Sequence, residues 1–109
     1  MKKQKAVFIV WASIAPEKEE AFNRWYNEEH LPKTLEWMPG VLSGRRYKII
    51  EGEDTFTYMA LYEFESYEAL QAAVTSGKSK RLTEEYNAAW GEGGRKRFKC
   101  VEIKNLIVG

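Results

Sequence analysis

Apolar residues are grouped in four short stretches, and two longer stretches with helical spacing lie between them. β-branched and aromatic residues dominate the short stretches, where apolar and polar positions often alternate, and this composition favours β-strands. The four predicted strands are Lys5–Ile14, Val41–Ile50, Phe56–Glu65 and Phe98–Val108. The five residues of the sequence EGEDT separate the second strand from the third, and their length and glycine predict a hairpin loop.

The first helical stretch begins at Pro16, because proline suits the first position of a helix. It is predicted to end near His30, since the residue before Pro32 avoids the α conformation. A further short helical turn is predicted over Lys33–Met38, and Pro39-Gly40 then indicates a turn.

The second helical stretch starts after Ser66, a residue that favours helix N-caps. Apolar residues then repeat at helical spacing until Gly77, which is predicted to end this helix. Another helix is predicted over Ser79–Trp90, and a glycine-rich loop follows it. The basic residues 95–97 are interpreted as a solvated entry to the fourth strand.

The predicted order β-α-β-β-α-β is that of the α+β ferredoxin-like fold, with a four-stranded antiparallel sheet and helices on one face. Strands one and three are expected to be central because they carry the longest apolar runs. Strands two and four are expected to be edges, since charges such as Arg45 and Lys99 discourage pairing with other chains. The 109 residues suit a single domain spanning residues 1–109.

Both faces of the central strands are apolar. Strand one places Phe8 and Val10 on one face and Ile9 and Trp11 on the other, and Leu61 extends the second apolar face on strand three. Helices cover only one face of such a sheet. The sequence therefore predicts a homodimer formed by sheet-to-sheet packing, with about 1,500 Å² or more buried. The alternative is that the C-terminal segment of the same chain covers the second face.

Composition excludes several classes of function. With 17 basic and 16 acidic residues the net charge is +1, so we expect no nucleic-acid partner and no anionic membrane surface. The single Cys100 excludes an intrachain disulfide and any multi-cysteine metal site. The single histidine excludes a histidine-rich metal site within one chain, and we expect no metal and no cofactor.

The N-terminus resembles a secretory signal, because the basic Met1–Lys5 precedes the apolar Ala6–Ala15. The apolar run contains no leucine, is rich in Val, Ile, Phe and Trp, and is followed by Pro16, all of which favour a strand. It is also too short to span a bilayer, which takes roughly 20 apolar residues. We therefore expect a cytoplasmic protein, a compartment that suits a lone thiol.

A tyrosine/tryptophan pair precedes an Asn-Glu-Glu-His-x-Pro stretch, and a Pro-Gly turn then leads into the second strand. The segments that carry this pattern are Phe22–Leu35 (FNRWYNEEHLPKTL), Pro39–Val41, Arg45–Tyr47 and Tyr58–Phe64 (YMALYEF). The chain resembles the dimeric α+β barrel superfamily, in particular its EthD-like branch. The resemblance implies a ferredoxin-like protomer whose sheet packs on that of its mate, with an apolar pocket between helices and sheet. Members include cofactor-free monooxygenases, cyclases, decarboxylases, dehydratases and haem-handling enzymes.

His30 is the leading candidate for a catalytic residue, because an imidazole exchanges protons near neutral pH. On a regular helical wheel with Phe22 at the origin, Trp25 falls at about −60°, Glu29 at about −20° and His30 at about +80°. This places Glu29 and His30 at the mouth of the predicted pocket. The alternative is that both residues only cap the last helical turn. The resemblance, in which a histidine at this position is characteristic, favours a functional role for His30.

Aromatic hydroxyls and one arginine complete the candidate substrate-binding set. A tyrosine on a sheet face can donate a hydrogen bond to a carbonyl or phenolate in an apolar cavity, and arginine can bind a carboxylate through two hydrogen bonds. Ordinary aromatic packing and surface ion pairs are the alternatives. The candidates are Tyr26, Glu29, Tyr47, Tyr58, Tyr62 and Arg46.

Three functions are compatible with these residues. The first is a cofactor-free enzyme that uses His30 as general acid or base on an apolar oxygenated or aromatic compound. The second is a non-catalytic protein that binds such a compound in the same pocket. The third is haem handling, with His30 as axial ligand.

Overall fold

In the described part of the chain, the sheet has four strands and its helices lie on one face. A computed structural model describes residues 4–109, so the first three residues of the basic stretch Met1–Lys5 lie outside this range. The strands are β1 (Ala6–Ala12), β2 (Val41–Lys48), β3 (Tyr58–Phe64) and β4 (Arg95–Val101). The helices are α1 (Glu19–Trp25), α2 (Leu31–Trp37), α3 (Tyr67–Val74) and α4 (Gly77–Trp90), and a 3₁₀ turn, Pro16–Lys18, precedes α1.

The strand order β2-β3-β1-β4, with every neighbouring pair antiparallel, confirms the ferredoxin-like topology. The strands predicted to be central, β1 and β3, are central. Val10 is paired with Ala60 on one side and with Arg97 on the other, which sets the register of three strands. A bulge between Val41 and Ser43 interrupts the β2–β3 ladder.

The predicted position of β4 was wrong. The strand covers Arg95–Val101 instead of Phe98–Val108, and Arg95 and Arg97 belong to it rather than to a solvated loop. The limit comes from β1, because among residues 4–109 the ladder between β4 and β1 runs from Ala12 back to Ala6. The last bond beyond the ladder joins the Glu102 amide to the Lys5 carbonyl.

The predicted helix end before Pro32 was also wrong. A π turn over Tyr26–His30 joins α1 directly to α2, and Leu31 keeps helical angles. The Leu31 amide donates to the carbonyl of Tyr26, five residues earlier. A proline normally clashes with the carbonyl four residues before it, and the wider turn relieves that clash.

Helix α4 begins at Gly77 and not at Ser79, so Gly77 starts a helix instead of ending the one before. The cause is Ser76, whose hydroxyl accepts a hydrogen bond from the Ser79 amide at 3.2 Å and caps the new helix. The predicted cap at Ser66 is confirmed, with the Ala69 amide 3.1 Å from its hydroxyl.

The core lies between the helices and one face of the sheet. Alternate residues of β3 are buried there, and Phe22, Phe64 and Leu70 are the largest side chains that are fully enclosed. The other face carries Trp11, whose ring lies 4.7 Å from that of Phe98 and 5.5 Å from that of Phe56. No helix covers this second face in the described part of the chain.

The C-terminal segment does not cover the open face, so the alternative to dimerisation was wrong for a single protomer. Ile103, Leu106, Ile107 and Val108 are between 77% and 96% exposed. These side chains would be hidden if the segment packed on the sheet. Among residues 4–109, no helix has the length and apolar character needed to cross a membrane.

Candidate functional site

His30 lies at the end of the π turn and is buried against three aromatic rings. Its imidazole stacks on Trp25 with 4.7 Å between ring centroids and 17° between planes. The rings of Tyr26 and Tyr86 meet it edge-on at 4.8 and 5.9 Å. Only 8% of the histidine is exposed, so it sits in an apolar, aromatic enclosure rather than at a helix end in water.

Burial lowers the pKa of His30 to about 4, because the charged imidazolium loses its hydration. Glu85 opposes this shift, while Arg95, Lys33 and Arg46 add to it. His30 is therefore neutral at neutral pH. Its Nδ1 is buried and has no hydrogen-bond partner among the described residues. A buried polar atom without a partner is unfavourable, and a ligand donor would satisfy it.

Two tyrosine hydroxyls meet beside the histidine. The hydroxyl oxygens of Tyr26 and Tyr62 are 2.7 Å apart, and both residues are buried. Burial raises the pKa of both phenols, so each keeps its proton at neutral pH. Thr34 orders this region as well, because its hydroxyl donates to the His30 carbonyl at 2.7 Å. The pair can donate one hydrogen bond to a ligand while it keeps the bond between its members.

His30, Tyr26 and Tyr62 line a cavity of about 50 Å³ between the helices and the sheet. This space holds a few water molecules or one small polar group. A wider groove of about 370 Å³ lies next to it, since Phe8, Ser79, Thr83 and Arg97 line both. A ligand of ordinary size would therefore place its body in the groove and one end in the inner cavity.

Two of the predicted site residues lie on the far side of Tyr26 from this cavity. The Arg46 guanidinium stacks over the Tyr26 ring at 4.3 Å and donates to Asn27 at 2.7 Å and Asn23 at 3.0 Å. Asn23 in turn donates to the Tyr58 hydroxyl at 2.9 Å. Arg46 and Tyr58 therefore belong to a separate polar network, and the guanidinium already donates its hydrogen bonds within that network.

Two further predicted residues are not brought to the cavity. Glu29 is exposed, because the π turn rotates it away from the sheet and His30 takes the inward position. Tyr47 pairs with Met59 on the sheet face opposite the helices and is 43% exposed. The regular helical wheel thus misplaced Glu29 by about one residue step.

Sequence reasoning missed residues of β4 and α4 that line the cavity. Arg95 and Arg97 point to the helix side of the sheet, and the Arg95 guanidinium lies 3.8 Å from the centre of the Tyr86 ring. Ser79 and Thr83 face the same space from α4. The available signal was the spacing of Ser79, Thr83 and Tyr86 by four and then three residues, which places a polar and aromatic stripe on one helix face.

The arrangement does not fit a haem. An inner cavity of about 50 Å³ beside His30 is far smaller than the several hundred Å³ of ordinary cofactor sites. Within residues 4–109, no group of three or more His, Cys, Asp or Glu side chains is placed to hold a metal ion.

Fold and cavity together define a ferredoxin-like α+β protein with a candidate ligand site between its helices and its sheet. The chain belongs to the family described as a domain of unknown function, DUF4286, whose model matches residues 5–99. No curated protein matches the sequence.

The solved structures that share the fold include the following three. An ethyl tert-butyl ether D (EthD) family protein from Bacillus halodurans is 21% identical with a TM-score of 0.72, over 92% of this chain and 99% of that chain. A Streptomyces coelicolor monooxygenase in complex with the ligand nanaomycin D is 14% identical with a TM-score of 0.67, over 98% and 94%. A dimeric protein of unknown function from Bacteroides fragilis is 11% identical with a TM-score of 0.63, over 90% and 96%. These likenesses confirm, for the fold, the resemblance to the EthD-like branch.

Proposed function

We propose that the protein is a homodimer that binds a small oxygenated or aromatic molecule between helices and sheet, and that His30 exchanges a proton with it without a cofactor. The observation that carries this proposal is the buried, unpartnered Nδ1 of His30 beside a cavity. The structural neighbour that holds nanaomycin D supports binding of a small molecule by this fold.

The proposed chemistry needs only a base and a hydrogen-bond donor. Neutral His30 takes a proton from the carbon next to a carbonyl, and the electron pair moves onto the carbonyl oxygen. A hydroxyl of the Tyr26–Tyr62 pair stabilises that oxygen by donating a hydrogen bond. His30 then returns the proton to the product, so no oxidant or reductant is consumed. Such a step serves enolisation or cyclisation.

The open face of the sheet supports the homodimer. Val7, Ile9, Trp11 and Leu61 share this face, and no helix of the described chain covers it. A second copy would bury these apolar side chains through a two-fold interface. The Bacteroides fragilis neighbour is itself described as dimeric. A cytoplasmic location stays a prediction from the sequence.

Proton exchange with deuterium tests the enzymatic proposal directly. The protein is incubated in D₂O with a panel of small aromatic ketones, among them ortho-hydroxyacetophenone, and deuterium uptake next to the carbonyl is followed by NMR. We expect catalysed uptake that falls by roughly 10²–10⁴-fold in His30→Gln. Glu29→Gln is the matched control, because this neighbouring side chain is exposed, and it should retain full activity.

A non-catalytic binding protein is the second candidate, and the pKa of His30 favours it. General bases work best with a pKa near the working pH, whereas the pKa of His30 is about 4. Ligand-induced NMR shifts without deuterium uptake would establish binding and contradict the enzymatic proposal. If no compound of the panel shifts the His30 signals, both candidates are overturned.

A further inference from the structure

Three cations occupy alternate positions on the helix-facing side of β4. Arg95, Arg97 and Lys99 are paired across the ladder with Ala12, Val10 and Phe8. Because side chains alternate along a strand, the three point to the same face. Arg95 and Arg97 line the inner cavity, and Arg97 and Lys99 line the groove outside it. The inner cavity and the groove described above therefore share a wall that carries a row of positive charge.

None of these three cations has a carboxylate partner among the described residues. Arg95 donates to the Asn87 amide oxygen, and its Nε is buried without a partner. Lys99 donates to the amide oxygen of Gln71. Arg97 has neither a hydrogen bond nor an ion pair within residues 4–109. Other basic residues of the chain, such as Lys33 with Glu85, do form ion pairs.

The walls of the groove are suited to an anion as well. No Asp or Glu lines the inner cavity or the groove. Hydroxyl groups of Thr75, Ser79 and Thr83 face the cations from the helices, and Phe8 and Val74 supply an apolar floor. At the inner end Arg95 and Arg97 share the wall with the neutral His30 and Tyr62, and Arg95 already donates to Asn87. The groove thus has one end for a hydroxyl or carbonyl group and another for an anionic group.

We propose that the ligand is a small organic anion, whose hydroxyl or carbonyl end enters the inner cavity and whose carboxylate or phosphate is bound by Arg97 and Lys99. The inference rests on the proposed ligand site and adds the chemical class of the ligand. A charged hydrogen bond from guanidinium to an oxyanion is about twice as strong as a neutral one, so the anionic group should dominate affinity.

Matched neutral and anionic probes test this inference in calorimetric and NMR titrations. The probes are para-hydroxybenzoate, its neutral amide para-hydroxybenzamide, and para-hydroxyphenyl phosphate. We expect the acid to bind about tenfold more tightly than the amide. Arg97→Gln should remove that preference, and a thermal melt that matches the wild type shows that the variant is folded. Arg24→Gln is the control, because this exposed arginine on α1 pairs with Glu20 away from the groove.

Each outcome decides the question. Loss of the preference in Arg97→Gln supports the inference, and the stronger of the acid and the phosphate ester identifies the anionic group. Equal affinity of acid and amide, or a preference that survives Arg97→Gln, overturns it. Absence of binding by all three probes overturns it too. The proposed function is tested separately, with the uncharged ketones.

Discussion

Trp25 and His30 are five residues apart in sequence, yet their rings stack at 4.7 Å with nearly parallel planes. A regular α-helix would separate two such positions by about 140° around its axis. The π turn over Tyr26–His30 contains about one residue more than a turn of α-helix, and this brings the two rings to the same side of the helix. The stacked indole helps to bury the imidazole, and this burial is the main cause of its lowered pKa.

This shielding predicts how stability depends on pH. The pKa of His30 is about 4 in the folded chain and 6.5 when unperturbed, so the unfolded state binds more protons between these values. The stabilisation by neutral His30 is complete above pH 6.5 and is lost as pH falls through 4. The free energy of unfolding should drop by up to about 3 kcal/mol across that window. Urea denaturation at several pH values measures it.

The same titration can be followed at one residue, because the chain contains a single histidine. NMR of its ring protons should give a midpoint near pH 4 for the wild type. In Trp25→Ala we expect the midpoint to move toward 6.5, since water then reaches the imidazole. A wild-type midpoint at 6 or above would contradict the buried, neutral state.

The hydrogen bond between Tyr26 and Tyr62 predicts that removing one of these hydroxyls lowers the free energy of unfolding more than removing an exposed hydroxyl. Tyr62→Phe leaves the Tyr26 hydroxyl buried without its partner and should lower the free energy of unfolding by about 1–2 kcal/mol. Tyr47→Phe is the matched control, because that side chain is 43% exposed on the other face, and we expect a change under about 0.5 kcal/mol. Equal effects of the two substitutions in urea denaturation would show that the pair contributes nothing.

Gly44 lies in a tight contact between β2 and α2. A Cβ at this position would lie 3.0 Å from side-chain carbons of Leu31 and Leu35 and 3.2 Å from the Tyr62 ring. We expect Gly44→Ala to destabilise the protein by about 1–3 kcal/mol, because this packing cannot take another methyl group. Gly77→Ala should be neutral or stabilising by up to about 1 kcal/mol, since nothing lies within 4 Å of its added Cβ. Thermal melts in which both variants match the wild type would refute the close approach.

The open sheet face predicts the state of association. The wild-type chain of 12.7 kDa should sediment at twice that mass, and Leu61→Lys should sediment as a monomer, because a charge in the centre of an apolar interface is costly. Ala88→Lys, at an exposed position of α4, is the matched control and should remain dimeric. A stable 12.7 kDa wild-type species at micromolar concentration would exclude the proposed dimer.

Strand order and layering were predictable because each depends on local signals that agree with each other. Alternation along β1 and β3 identified the central strands, and charges such as Lys99 identified an edge. The length of β4 was not predictable in the same way. Apolar residues such as Leu106 suggested a strand, but a strand exists only where a neighbour offers hydrogen bonds. Ala6, the first residue of β1, pairs with Val101, and the ladder stops there.

The identity of His30 as the central site residue was predictable, but its surroundings were not. The wheel assumed a constant angle per residue, so it paired His30 with Glu29 and separated it from Trp25. Pro32 was the one local residue that could have indicated the wider turn, but a proline more often indicates a helix end. The cations of β4 were predicted to be solvated for another reason. The sheet face on which Arg97 lies depends on its register with Val10, a residue distant in sequence.

Because of the π turn, the position of the imidazole depends on the number of residues between Trp25 and His30. In an ordinary α-helix a spacing of four residues, one fewer than from Trp25 to His30, would bring the two rings to the same side, and a spacing of five would turn the imidazole away by about 100° more. Another side chain would then occupy the space beside Tyr62, although the motif would still align. Homologous sequences should therefore be compared by the spacing of this segment before their histidines are taken as equivalent.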